Sequence, residues 1–231
     1  MKIAEIFYSI QGEGKYAGVP SVFIRASGCN LRCAWCDTPD ASWSPKGHEI
    51  EVNQILTQVA AFSTAHVVIT GGEPMLQEDL PELIKQLNRS DRLVTLETAG
   101  TIWRDLPVHL ASVSPKLANS TPWNRQEGRF AARHERQRIQ TDVLRRFARS
   151  KTIARVQWKF VLTRPTDMDE VEEIIEAIGA VRPEDVILMP EGTDAERLHA
   201  RSAWIAEICM NRGFRFGPRL HILLYGNTPA T

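Results

Sequence analysis

Short apolar runs and amphipathic stretches take turns along this chain. Ile3 to Ile10 and Val22 to Arg25 read as strands, parted by a turn that holds Gly12, Glu13, Gly14 and Gly18. Val52 to Phe62 has helical periodicity, and Val67 to Thr70 is a short apolar strand that runs into Gly71-Gly72-Glu73-Pro74. The alternation goes on: a helix over Leu80 to Leu87, strands over Leu93 to Glu97, Val108 to Ser114 and Val156 to Leu162, then a helix over Asp169 to Ile178. A strand over Val186 to Met189, a helix over Asp194 to Arg212 and a last strand over Arg219 to Tyr225 complete the series. Strands alternating with helices predict an α/β fold with a mainly parallel sheet. Functional loops of such sheets gather at the carboxyl ends of the strands, where Gly71 to Pro74, Thr98, Ser114 to Lys116 and Pro190 to Gly192 fall.

One stretch departs from the rest. Between residues 124 and 155, Arg125, Arg129, Arg133, Arg136, Arg138, Arg145, Arg146, Arg149, Lys151 and Arg155 face only Glu127, Glu135 and Asp142. A polyanion-binding patch fits that composition. Ile139, Val143, Leu144 and Phe147 fall at helical spacing, which favours a solvated amphipathic helix.

Composition narrows the class. The 231 residues suffice for one domain with a sizeable core. The 28 acidic and 28 basic residues balance, so net charge points to neither nucleic acid nor membrane. No apolar run approaches the roughly 20 residues of a membrane span. Met1 to Phe7 reads as a strand rather than a signal peptide. Three of the four cysteines are clustered, which suits metal binding in a reducing cytoplasm better than disulfides.

Those three carry the candidate chemistry. Cys29-Asn-Leu-Arg-Cys33-Ala-Trp-Cys36 is a C-x3-C-x2-C run. Thiolates are soft ligands for iron–sulfur clusters and zinc. A 4Fe-4S cluster has four irons to ligate and this loop offers three thiolates, leaving one iron open to a small molecule. A closed zinc site needs a second knuckle or a His pair, and neither follows. Cys209 lies on the apolar face of a helix and reads as core. Gly71-Gly72-Glu73-Pro74 is the second signal: glycines admit close backbone approach, and a Glu accepts from an ammonium group.

The two motifs together resemble the radical S-adenosylmethionine (SAM) enzymes. Tyr8 to Gly14, Phe23 to Leu31, Trp35 to Thr38, Thr70 to Pro74, Glu97 to Thr101, Ser114 to Lys116, Lys159 to Val161 and Met189 to Gly192 are similar to the 7-carboxy-7-deazaguanine synthases. The resemblance implies an incomplete TIM-type barrel of about six parallel strands, with its cluster at the open top. It implies the conversion of 6-carboxy-5,6,7,8-tetrahydropterin to 7-carboxy-7-deazaguanine, with loss of ammonia and regeneration of SAM. It also implies a 4Fe-4S cluster, SAM and Mg2+, a homodimer, and an electron donor such as a flavodoxin. The alternatives are an activating enzyme for a glycyl-radical partner and a non-catalytic zinc-binding adaptor.

Site residues follow by position. Cys29, Cys33 and Cys36 would ligate the cluster. Trp35, Cys36, Asp37, Gly72, Glu73, Ser114, Pro115, Lys116 and Met189, Pro190, Glu191, Gly192 would surround SAM; Ser114-Pro115-Lys116 is otherwise an ordinary turn. Thr38 matches the Mg2+ ligand, with a helix cap, or Asp37 as the ligand, as alternatives. Ile10, Gln11, Gly12, Glu13, Arg25, Thr70 and His221 would contact the pterin, Arg25 through the 6-carboxylate. Arg25 otherwise reads as a surface salt bridge and His221 as a core histidine.

Overall fold

The structure is a computed structural model that describes residues 1–230. Its sheet has nine strands in the order β3-β1-β2-β4-β5-β6-β7-β8-β9. β1 (Lys2–Ile10) pairs antiparallel with β2 (Pro20–Ala26) and with the two-residue β3 (His48–Glu49). From β2 onward every neighbour is parallel: β4 (His66–Gly71), β5 (Leu93–Thr98), β6 (Leu110–Val113), β7 (Val156–Leu162), β8 (Val186–Pro190) and the short β9 (Arg215–Phe216). The sheet stays open between β3 and β9, as a partial barrel does.

Helices cover the parallel strands, and burial on both faces explains the unbroken apolar runs. α1 (Pro39–Ser42) is a single turn after the cysteine loop, and α2 (Val52–Ala60) begins at a capping box between Glu51 and Gln54. α3 (Leu80–Arg89) follows, with Pro in its first turn, and buries Leu80, Leu83, Ile84 and Leu87 at the helical period. α6 (Asp167–Ile178) lies between β7 and β8. α7 (Ala195–Arg212) starts where the Asp194 carboxylate accepts from Arg197 N–H and ends at Gly213, whose φ of 68° is the left-handed cap. Cys209 packs in the core from this helix. No described helix is long and apolar enough to cross a membrane.

Two expectations need correcting. The arginine-rich stretch forms two helices, α4 (Ala131–Arg138) and α5 (Thr141–Arg149), broken at Ile139, whose backbone is extended. Leu144 and Phe147 are buried as expected, with the Trp103 ring edge-on to Phe147 at 4.9 Å. The expected last strand at Arg219 to Tyr225 is instead helix α8 (Leu220–Tyr225). The two-residue β9 already occupies the sheet edge, and Leu220 N–H donates to Gly12 O at 2.9 Å, drawing the chain away from the ladder.

Candidate active site

The carboxyl ends of the parallel strands open into a cleft of about 640 Å3. The loop that leaves β2 carries Cys29, Cys33 and Cys36 into its wall, and all three thiols are free. Burial pushes the Cys29 and Cys33 thiols up to about 12, so they stay neutral until a metal displaces the proton. Trp43 Nε1 donates to Cys33 O at 2.9 Å and Ser42 Oγ stands 3.0 Å from Cys36 Sγ. Free thiols on one wall of a cavity large enough for further ligands suit an iron–sulfur cluster with an open iron.

The arginine-rich segment packs on the back of this loop. Ala34 N–H donates to Ser120 O at 2.7 Å, and Arg125 donates to Ala34 O at 3.1 Å while lying 3.9 Å over the Trp43 ring. Arg32 N–H donates to His134 Nδ1 at 3.1 Å. Ser120 Oγ donates to Leu117 O, so His134 Nε2–H must donate to Ser120 Oγ. The ring is held neutral as one tautomer, and burial takes it down to about 4.

The glycine pair answers first to the chain itself. A Cβ on Gly72 would sit 2.1 Å from Gly28 O, and one on Gly71 2.1 Å from Ala26 O, so both residues let the cysteine loop fold against β4. Glu73 is fully buried, and its neighbours Gly72, Thr98 and Ala99 line the cleft. Its carboxylate accepts from Thr98 Oγ1, Ala99 N–H and Met75 N–H. Burial raises its pKa against these donors. These donors hold the carboxylate beside the cleft-lining residues Thr98 and Ala99. Ser114 and Lys116 line the cleft 2.8 Å apart, with the Lys116 ammonium 5.6 Å from the Trp35 ring. Met189 and Glu191 line it too, whereas Pro115, Pro190 and Gly192 do not. Thr38 lines the cleft, and its hydroxyl makes no cap bond to α1.

The opposite wall is charged. Glu13 accepts from Lys159 Nζ at 2.5 Å and from Arg219 Nε at 3.0 Å. Burial alone would raise the Glu13 pKa; the two cations outweigh it and hold the carboxyl well below the usual range. Arg219 also donates to Asp37 and to Gly192 O. Burial opposes the charge on Asp37, and the guanidinium again wins. Glu97 accepts from Gln11 Nε2 at 3.2 Å and from Thr70 Oγ1 at 2.9 Å. Ile10, Gly12, Arg25 and His221 join this wall. His221 lies in α8, not a strand, and a Cβ on Gly12 would meet its ring at 1.9 Å. Arg25 lines the cleft while pairing with Glu5 at 2.6 Å, so both readings of it meet in one side chain.

Glu97, Lys159 and Arg219 line the cleft without having been singled out, as do residues 226–230. Lys159 had a signal, a lone cation between Trp158 and Phe160 in an apolar strand. Arg219 had none, because its partner Glu13 is 206 positions away.

Known proteins resemble this chain in sequence and in fold. The Radical SAM superfamily profile matches residues 23–114. The 7-carboxy-7-deazaguanine synthase of Halobacterium salinarum is 45% identical over 241 residues, covering 100% of this chain and 93% of the relative. That of Rhodopirellula baltica is 38% identical over 99% of the chain and 88% of the relative. Among solved structures, QueE from Escherichia coli superposes with a TM-score of 0.70 at 26% identity, covering 94% of this chain and 92% of that one.

Proposed function

The chain belongs to the 7-carboxy-7-deazaguanine synthase family of radical-SAM enzymes, and from that membership we propose how its cleft converts 6-carboxy-5,6,7,8-tetrahydropterin to 7-carboxy-7-deazaguanine in queuosine and 7-deazapurine biosynthesis. The observation that carries the reading is one cavity lined both by three free thiols and by a set of paired charged groups. When bound, the cluster and SAM supply the radical that takes hydrogen from C6 of the pterin.

The residues bind, orient and shield. Cys29, Cys33 and Cys36 hold the cluster. Trp35, Cys36, Asp37, Gly72, Glu73, Ser114, Pro115, Lys116, Met189, Pro190, Glu191 and Gly192 would surround SAM. Glu13, already a carboxylate, keeps lone pairs for the guanidine-like edge of the pterin. Ile10, Gln11, Gly12, Thr70 and His221 complete that edge, and Arg25 takes the 6-carboxylate. Thr38 with substrate oxygens and waters holds Mg2+; the pairing of Asp37 with Arg219 supports Thr38 over Asp37.

One continuous sheet supports a single domain over residues 1–231. A homodimer would bury the exposed Leu223, Leu224 and Tyr225 of α8. A flavodoxin-like donor and a cytoplasmic site fit a cluster that must be reduced. The glycyl-radical activating enzyme and the zinc-binding adaptor are not favoured by full-length relatives named as synthases. The test is anaerobic turnover of reconstituted protein with SAM, reductant, Mg2+ and the pterin, read by mass spectrometry. The product should appear, and should vanish in Cys33→Ala. SAM cleavage to 5′-deoxyadenosine without product would discard the pterin.

A further inference from the structure

We infer that Arg219 is a positioning residue that locks the pterin loop to the cysteine loop, so that a radical forms only against an aligned substrate. The inference rests on the proposed roles of Glu13 and of the cysteine loop.

A single buried guanidinium joins three segments that meet nowhere else through one side chain. Its Nε donates to Glu13 Oε1 at 3.0 Å, in the loop after β1. Its Nη2 donates to Asp37, the residue directly after Cys36. Its Nη1 donates to Gly192 O at 2.5 Å, in the turn after β8. The side chain is only 7% exposed. Its backbone is anchored on both sides: Gly217 N–H donates to Leu188 O at 2.8 Å and Leu220 N–H donates to Gly12 O at 2.9 Å. The backbone on either side of the fork is therefore held to β8 and to the loop that carries Glu13.

Guanidinium geometry explains why one residue suffices. Arg presents planar donors pointing in different directions, so it spans two carboxylates and a carbonyl at once. A lysine ammonium at the same place is a point donor and reaches fewer of them. Without the fork, the largely buried Glu13 and the half-exposed Asp37 become neighbouring carboxylates that repel. Glu13 would still be tied to Lys159 on β7, whereas Asp37 has no second cation among its ion pairs. The cysteine-loop side is thus the one expected to drift.

Positioning and simple support of the fold predict different readouts. SAM is regenerated in coupled turnover, so released 5′-deoxyadenosine measures radicals formed against a misplaced substrate. In Arg219→Gln we expect pterin affinity of the metal-free protein to fall at least about tenfold, the scale of one charge-assisted bond. We also expect 5′-deoxyadenosine per product to rise from near zero to one or more. Arg219→Lys, which keeps the buried charge, should recover thermal stability and much of the pterin affinity but still leak. Amide hydrogen exchange on metal-free protein gives a readout that needs no pterin: residues 36–38 should lose protection in both variants, and residues 11–14, still tied through Lys159, should lose less. Wild-type affinity and leak ratio in Arg219→Gln overturn the inference, as does unchanged protection at 36–38. If Arg219→Gln does not fold, full coupling in Arg219→Lys overturns it. A wild-type protein that turns over no pterin overturns the function proposed above, and loosening of residues 36–38 in the variants would still support the lock.

Discussion

The two walls of the cleft are built by opposite means. The thiol wall comes from one short loop: eight residues carry all three cysteines, and Leu31, Ala99 and neutral His134 pack around them. The charged wall is assembled from distant parts of the chain, with Glu13 after β1, Glu97 on β5, Lys159 on β7 and Arg219 before α8. In the first wall burial is the largest influence on Cys29 and Cys33, ahead of any nearby charge. The second packs charges so tightly that Glu13 and Asp37 are held ionised by cationic partners. A cluster needs soft ligands in a dry setting. A polar pterin needs fixed acceptors that cost no reorganisation when it arrives. A local motif meets the first need; only the folded sheet meets the second.

Breaking each wall separately sharpens this contrast. Cys33→Ala should have the largest effect, with iron content falling and product becoming undetectable, because the remaining thiols cannot hold the cluster. Retained iron and turnover in that variant would sink the ligand assignment. Glu13→Gln comes next. It leaves Lys159 and Arg219 buried without their shared carboxylate, and removing one partner of a buried ion pair costs about 3–5 kcal/mol. Urea unfolding of the metal-free protein should show a loss of that order, and turnover should fall about a hundredfold or more. Iron content should stay near wild type, since the thiol wall is untouched. A Glu13→Gln protein that loses its cluster would mean that the two walls are not separable.

The same contrast explains what could be read in advance. The cysteine loop, the glycine turn and the order of parallel strands all arise from contiguous residues, so spacing and periodicity reported them. Gln11, Glu13, Arg25, Thr70 and His221 came from the family resemblance and do meet in the cleft. Lys159 and Arg219 were passed over because their meaning lies in a partner far along the chain. α8 was misread because Leu220 to Tyr225 is a short apolar run of ambiguous period, and its conformation is decided by contacts with Gly12 rather than by its own pattern. Glu73 shows the same limit from the other side. Its motif was legible, but the direction of its side chain depends on Thr98 and Ala99.

Acid should dismantle the walls in order. The His134 pKa is taken below its unfolded value of 6.5 to about 4, and so is that of His66, held between Ser21 and Thr95 under the sheet. The unfolded chain then binds more protons than the folded one, so stability falls as pH drops from about 6.5 toward 4. Glu13 and Asp37 are depressed carboxylates, whose contribution is present above their unfolded pKa and is lost as pH falls below about 4. Urea unfolding of metal-free protein across this range should show two successive losses. Glu13→Gln should flatten the lower one and leave the upper. A single loss below pH 4, with nothing between 6.5 and 4, would show that the histidines are not held neutral.

Ser42→Ala is the mildest probe of the thiol wall. Ser42 Oγ sits 3.0 Å from Cys36 Sγ and 3.3 Å from Thr38 O, so it can serve the sulfur only by turning its proton from the carbonyl. A hydrogen bond to a ligating sulfur raises a cluster's potential by stabilising the more negative, reduced state. Its loss should lower the reduction potential and slow turnover by about tenfold or less, within the range for outer partners of metal ligands. Iron content and pterin affinity should not change, because the charged wall has no contact with Ser42. An unaltered potential would mean that the proton stays on Thr38 O and that the sulfur is tuned by burial alone.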